Sequence, residues 1–265
     1  MRVTCTTLSL PKHGNAPDEY EDAAFPLSFD ADEDLQEFRC AVADGATETS
    51  FSKLWANLLV SGFVDKEPLP DSRKKWQEQI PSTDQPWYVE EKAQSGAYAA
   101  LACLTLLADS TWSGEAVGDS CLLQIRDDHI IFSFPLKAAE DFNNRPALVC
   151  SKEDSSTEIE PKREVSQWQS GDKFLLLTDA IAHWLLGATE AEAATESEAE
   201  TEAKAEAEAE AAESVKAQAA VVRLLTLENE EQLLAFATEQ RALIGDDGRP
   251  KLHNDDITIM KVEIN

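Results

Sequence analysis

The sequence predicts an α+β fold on three observations: eight short apolar or alternating runs closed by turn residues, four stretches with helical spacing, and their order. Strands come first, helices follow and strands return, whereas a parallel α/β sheet would alternate the two regularly. Of the 265 residues, 43% are hydrophobic, enough for most of the chain to bury a core.

Taken in order, Arg2–Leu10, Ala23–Phe29 and Phe38–Ala43 are short apolar or alternating runs and are predicted strands. Phe51–Phe63 has helical spacing, and so does Trp87–Leu107 with its run of Ala and Leu, so both are predicted helices. Ser113–Val117, Ser120–Ile125, His129–Phe134 and Lys173–Leu177 are again strand-like. Ile181–Leu186 and Glu230–Leu243 return to helical spacing, and Ile257–Ile264 is the closing strand.

Between these last helices, Ala188–Ser214 consists almost wholly of Glu and Ala, with ten Glu, one Lys and no Leu, Ile, Val, Phe, Trp or Tyr. Such a tract has no face to bury and is expected to be a solvated insertion (188–214) within a single domain spanning 1–265. It reads as a spacer or as an acidic docking segment for a basic partner. Across the whole chain 23 Lys and Arg face 51 Asp and Glu, for a net charge of −28. No basic stripe is available to neutralise phosphates, so nucleic acid and anionic membranes are excluded as expected partners. There is no apolar leader and no run of about 18 apolar residues, so a cytoplasmic location is expected. Five widely spaced cysteines without a CxxC pair are expected to be buried, reduced thiols. No GxxxxGK[ST] or GxGxxG loop is present.

The chemistry concentrates where strands end. Val42-Ala43 runs into Asp44-Gly45, Val117 into Gly118-Asp119-Ser120, and Leu176-Leu177-Thr178 into Asp179-Ala180. Glu21-Asp22 precedes Ala23, and Asp255-Asp256 precedes Ile257-Thr258. A carboxylate at the rim of a core is costly when ionised unless it is paired or bound to a cation, and few Lys or Arg are adjacent. Oxygen donors without a His or Cys cluster suit Mg²⁺ or Mn²⁺.

In this order, the segments resemble the motifs of the metal-dependent protein phosphatases, the type 2C serine/threonine phosphatase family. Glu21-Asp22-Ala23 is similar to its early acidic element, Val42-Ala43-Asp44-Gly45 to its Val-x-Asp-Gly strand end, and Gly118-Asp119-Ser120 to its Gly-Asp-Ser turn. Leu176-Leu177-Thr178-Asp179 and Asp255-Asp256-Ile257-Thr258 resemble its two closing elements, so the matches span nearly the whole chain. The resemblance implies an αββα sandwich of two antiparallel sheets flanked by helices, with a binuclear Mg²⁺ or Mn²⁺ centre at one end. It further implies that Asp22, Asp44, Asp179 and Asp255 are catalytic ligands of two ions, with Asp44 bridging them and the Gly45 carbonyl as a further ligand. Asp119 with Asp179 matches a third, weaker metal position, and Glu21 would act through a metal-bound water.

The implied activity is hydrolysis of phosphoserine and phosphothreonine monoesters on a phosphorylated protein, by a monomer. The alternative is a catalytically weak relative that binds a phosphoprotein or regulatory partner. Two departures stand out. Pro17 occupies the place of the family's phosphate-gripping Arg, with Lys12 or His13 as substitutes, and Asp44-Gly45-Ala46-Thr47-Glu48 lacks the His that serves some members as general acid. Ala180 also replaces a Gly, a change that matters only if that backbone needs a positive φ.

Overall fold

A computed structural model describes residues 1–265 apart from 32, 47–50, 81–95, 144, 154–158, 191–217 and 246. The described strands are β1 (Val3–Leu10), β2 (Ala23–Phe25), β3 (Ser28–Asp30), β4 (Glu37–Gly45), β5 (Tyr98–Leu107) and β6 (Thr111–Val117). They continue as β7 (Cys121–Arg126), β8 (His129–Phe134), β9 (Val149–Cys150), β10 (Lys162–Gln167), β11 (Lys173–Leu177) and β12 (Ile257–Ile264). The helices are α1 (Ser52–Val64), α2 (Leu69–Gln79), α3 (Asp179–Glu190), α4 (218–225) and α5 (Glu230–Ala242).

The strands form two antiparallel sheets, β3-β1-β12-β11-β7-β8 and β10-β6-β5-β4-β2, with β9 on the side of β5. Because side chains alternate across a strand, each sheet can bury two faces. On β4, Phe38, Cys40 and Val42 point between the sheets, where they meet Leu104, Trp112, Leu122, Phe174 and Met260. Its other face, Ala41 and Ala43, packs under Trp55, Leu59 and Trp76 of α1 and α2. On β11, Phe174 and Leu176 face the interior while Leu175 and Leu177 lie against Ile181, Leu185, Leu224 and Phe236 of α3, α4 and α5. The result is the four-layer αββα sandwich. Burial on both faces accounts for the unbroken apolar run in Phe174–Leu177, where a half-exposed strand would alternate.

Three sequence expectations change. Trp87–Leu107 is not a helix over its described part, because Tyr98–Leu107 is the central strand β5. Ala and Leu favour helix locally, but the period is two: Ala102, Leu104 and Leu106 enter the inter-sheet core, and Ala99 and Cys103 face α1. The run Ala23–Phe29 divides into β2 and β3, which pair in different sheets, with β2 on β4 and β3 on β1. The segment after Lys66, without a predicted element, contains α2, a mostly polar helix that buries Ser72, Arg73 and Trp76. The Glu/Ala insertion lies outside the described residues beyond Glu190. All five cysteines are free and buried. Among the described residues no helix is long and apolar enough to cross a membrane.

Candidate metal centre

The sandwich brings the predicted acids to one end. In the antiparallel register of β2 with β4, Ala23 opposes Ala43, and one step further places Asp22 beside Asp44. Asp44 itself opposes Ala100 of β5. Gly118, at φ +96°, turns the chain tightly over that same Ala100; a Cβ on Gly118 would fall 2.6 Å from the Ala100 Cβ. Only glycine adopts this turn without strain, and the turn brings Asp119 within the charge field of Asp44 and Asp179. From the other sheet, β11 ends at Leu177 opposite Ile259 of β12. Beyond this pair the Thr258 N–H donates to Thr178 Oγ1 at 3.0 Å, so Asp179 and the Asp255-Asp256 pair flank the same rim.

The electrostatics show that these carboxylates share one field. Asp44 is pushed well above the usual carboxylate range, by burial first and then by the charges of Asp22, Asp179, Asp119 and Asp255. Asp22, 3% exposed, is raised by burial, against which the Thr258 and Thr178 hydroxyls act. Asp119 is pushed up to about 7 by burial and by Asp179. Asp179 is raised by burial and Asp255, opposed by the Ala180 N–H, a hydrogen bond with Asp44 and the His253 imidazole. Like charges this close resist joint ionisation unless cations intervene.

Neighbouring groups hold the acids in place. Thr258 Oγ1 donates to Asp22 Oδ2 at 2.7 Å and sits 2.5 Å from the Tyr20 hydroxyl. Asp256 Oδ1 and Oδ2 accept from the Lys12 and Glu21 N–H groups, each at 2.7 Å, and so tie the segment before β2 to the start of β12. Ser52, the first residue of α1, donates its hydroxyl to Glu21 Oε1. Gly45 packs against the same segment: a Cβ there would lie 2.6 Å from the Glu21 carbonyl oxygen and 3.2 Å from Ser52. Asp179 begins α3 and accepts the Ala180 N–H, an anion at the positive end of a helix. Ala180 is helical and not at positive φ, so the change from Gly costs nothing in backbone strain.

Asp255 is the outermost acid, its side chain 45% exposed, and Lys12 Nζ approaches it at 3.7 Å. Of the two cations considered for phosphate, Lys12 therefore stands at the rim, while His13 is exposed and its N–H donates to Asn254. Sequence reasoning missed Tyr20, Ser52, Asp256 and Thr258, as well as the stack of His183 on His253 (ring centroids 4.7 Å, 23° apart) beside Asp179. Thr258 and Asp256 had a signal in the Asp-Asp-x-Thr run. Ser52 had none, since its partner lies thirty-one residues away. Thr47 and Glu48 lie outside the described residues.

Among the described residues no three His, Cys, Asp or Glu side chains close into a ready-made chelate. The donor chemistry nonetheless fits hard divalent cations. Asp22, Asp44, Asp119 and Asp179 are desolvated oxygen donors, and among the described residues none of the four has a Lys or Arg ion-pair partner.

No protein-family profile matches the chain, and no curated protein does. Solved structures match over its full length. The Mycobacterium tuberculosis serine/threonine phosphatase PstP/Ppp superposes with TM-score 0.55 at 12% identity, covering 100% of each chain. The S. agalactiae serine/threonine phosphatase gives TM-score 0.54 at 12% identity, covering 99% of this chain and 100% of its own. The photosystem II phosphatase PBCP gives 0.52 at 16% identity, covering 99% of each. With its two antiparallel sheets, flanking helices and end-on acid cluster, the chain has the fold of the type 2C serine/threonine phosphatases.

Proposed function

We propose that this protein is a Mg²⁺- or Mn²⁺-dependent phosphatase that hydrolyses phosphoserine and phosphothreonine monoesters on protein substrates. One observation carries the reading: Asp22, Asp44, Asp119, Asp179 and Asp255, drawn from both sheets, lie within one electrostatic field at the end of a phosphatase-fold sandwich. Asp22, Asp44, Asp179 and Asp255 would hold two ions with the Gly45 carbonyl, Asp119 and Asp179 a third, and Glu21 would bind through water. Bound divalent ions lower the pKa of a coordinated water and shield phosphoryl oxygens, the two demands of an uncatalysed barrier that must fall by ~20 kcal/mol.

The chain's own residues set the rest. Thr258 and Thr178 orient Asp22, and Asp256 fixes the backbone that presents Glu21. Lys12, about one-third exposed at the rim, supplies positive charge for an approaching phosphate dianion. The β12 and β2 segments are thereby tied together before any substrate arrives, which spares reorganisation at the moment of reaction.

A second reading, a weakly catalytic protein that binds a phosphorylated or regulatory partner, is favoured by Pro17, which stands in a 3-10 turn where the family places its phosphate-gripping Arg. An activity assay together with Mn²⁺ calorimetry decides between them. Wild-type protein should hydrolyse an aryl phosphate with Mn²⁺, lose the activity in EDTA, and lose about 10²-fold or more in Asp44→Asn. Tight Mn²⁺ binding by calorimetry without turnover would select the second reading, and the absence of both binding and turnover would refute both.

A further inference from the structure

A cavity of about 1030 Å³ opens on the outer side of the β4-β5 sheet, and none of the five clustered acids lines it. Its walls are apolar where α1, α2, β5 and β9 meet, through Leu59, Phe63, Leu69, Leu101 and Val149. Four cations also line it. Three are already matched to carboxylates: Arg39 Nη1 to Glu37 at 3.5 Å, Lys66 Nζ to Glu37 at 2.6 Å, and Arg163 Nε to Glu115 at 3.3 Å. Glu67, at the same wall, is held by Lys75 at 2.5 Å, and Glu160 is exposed at the mouth.

The fourth cation is different. Arg73 is 8% exposed and donates Nε to the Cys150 carbonyl at 3.2 Å. Among the described residues, its two Nη groups have no hydrogen bond or ion pair, and the residue lines the cavity. The Nη groups are not sealed from solvent, so an anion entering the cavity can reach them, and none of the described carboxylates of this strongly acidic chain has been placed on them. The fork of Nη groups matches the two oxygens of a carboxylate or phosphate. The start of α2 points the same way: Pro68 is its N-cap, no side chain caps it, and Leu69 and Ser72 of the first turn line the cavity.

We infer that this cavity is a second binding site, separate from the acid cluster, for the oxyanion head of a small molecule with an apolar body, with Arg73 as its bidentate anchor. The head is a carboxylate or a phosphate, and the body fills the space between Leu59, Phe63 and Leu101. The site does not depend on the metal chemistry proposed above.

The test uses the full chain in EDTA, so that metal-mediated anion binding at the acid cluster does not contribute. Thermal shift and calorimetry are run with benzoate, phenylphosphonate, acetate, inorganic phosphate and benzylamine. Benzoate or phenylphosphonate should raise the melting temperature and bind more tightly than acetate or inorganic phosphate, and benzylamine should have no effect. The better of the two aryl anions identifies the head group. Arg73→Met, which keeps the apolar stem, should weaken that binding about tenfold or more, and Arg73→Lys should retain part of it. If Arg73→Met fails to fold, Leu69→Trp, which fills the cavity from α2, should abolish binding instead. Absence of any shift with both aryl anions at about 10 mM overturns the inference, as does equal affinity in wild type and the folded variants.

Discussion

Replacing Gly45 by alanine isolates the contact between the end of β4 and the segment that carries Glu21 and Asp22. The added Cβ would stand 2.6 Å from the Glu21 carbonyl oxygen, about 0.8 Å short of ordinary contact, and 3.2 Å from both the carbonyl carbon and the Cβ of Ser52. These neighbours are backbone, or sit on it, so they cannot swing aside as a flexible side chain would. Overpacking of this kind costs ~1–3 kcal/mol. For a chain of this size that corresponds to a fall in melting temperature of about 2–12 °C. Displacement of Glu21 also moves Asp22, so the Mn²⁺ affinity measured by calorimetry should fall about tenfold or more. Gly187 provides the opposite case. It lies within α3, its added Cβ would meet Ala139 at an ordinary 3.5 Å, and Gly187→Ala should gain up to ~1 kcal/mol from helix propensity with metal affinity unchanged. If Gly45→Ala melts and binds Mn²⁺ as wild type does, the close approach of β4 to the Glu21 segment is wrong, and with it the account of why glycine follows Asp44.

Other perturbations probe separate parts of the molecule. Thr258→Val removes the hydroxyl that donates to Asp22, so Mn²⁺ affinity should drop about 10–100-fold by calorimetry, and the buried Asp22 left without that partner should lower stability by ~1–3 kcal/mol. Lys12→Met should raise KM for an aryl phosphate about tenfold with kcat nearly constant, because the charge that greets the dianion is lost while the acids stay; an unchanged KM would remove Lys12 from substrate binding. Asp172 is buried, which alone would raise its pKa, but Arg126 (2.7 Å), the Gln169 N–H and Gln124 bring it below the usual carboxylate value. A depressed folded pKa contributes stability that is complete above the unfolded value of about 3.9 and is lost as pH falls through the folded value. The stability difference between wild type and Asp172→Asn in urea should therefore be flat above about pH 5 and shrink below about pH 4. A constant difference across that range would show that Asp172 does not titrate with folding.

Much of the site was legible because its acids sit at strand ends, and strand ends are what alternating and apolar runs mark best. Asp44, Asp119 and Asp179 each follow such a run, and the structure gathers all three. The supporting groups were less visible. The Ser52 hydroxyl meets Glu21 only because α1 packs across β2 and β4, and Asp256 braces two backbone N–H groups that come from the other end of the chain. The fold was misread where composition and packing disagree. Tyr98–Leu107 is rich in Ala and Leu, yet α1 needs small residues beneath it and the opposite face needs bulk for the interior, which is a strand's division of labour. β10 escaped notice for the reverse reason: it is a polar edge strand whose single apolar residue, Val165, is exposed. In α2 the polar face outnumbers the buried one, so helical spacing left little trace.

The acid cluster straddles the seam between the two sheets. Asp22 and Asp44 hang from β2 and β4, Asp179 and Asp255 from β11 and β12, and Asp119 from the turn that crosses from one sheet to the other. On the proposed ligand assignment, neither sheet alone would supply the donors for two metal ions. A chain in which one sheet has formed and the other has not would thus be blind to divalent cations, and a metal titration would count only molecules whose sandwich has closed. Cations at this seam would act as a rivet across the inter-sheet core, adding their binding free energy to the docked state and to no partly folded one.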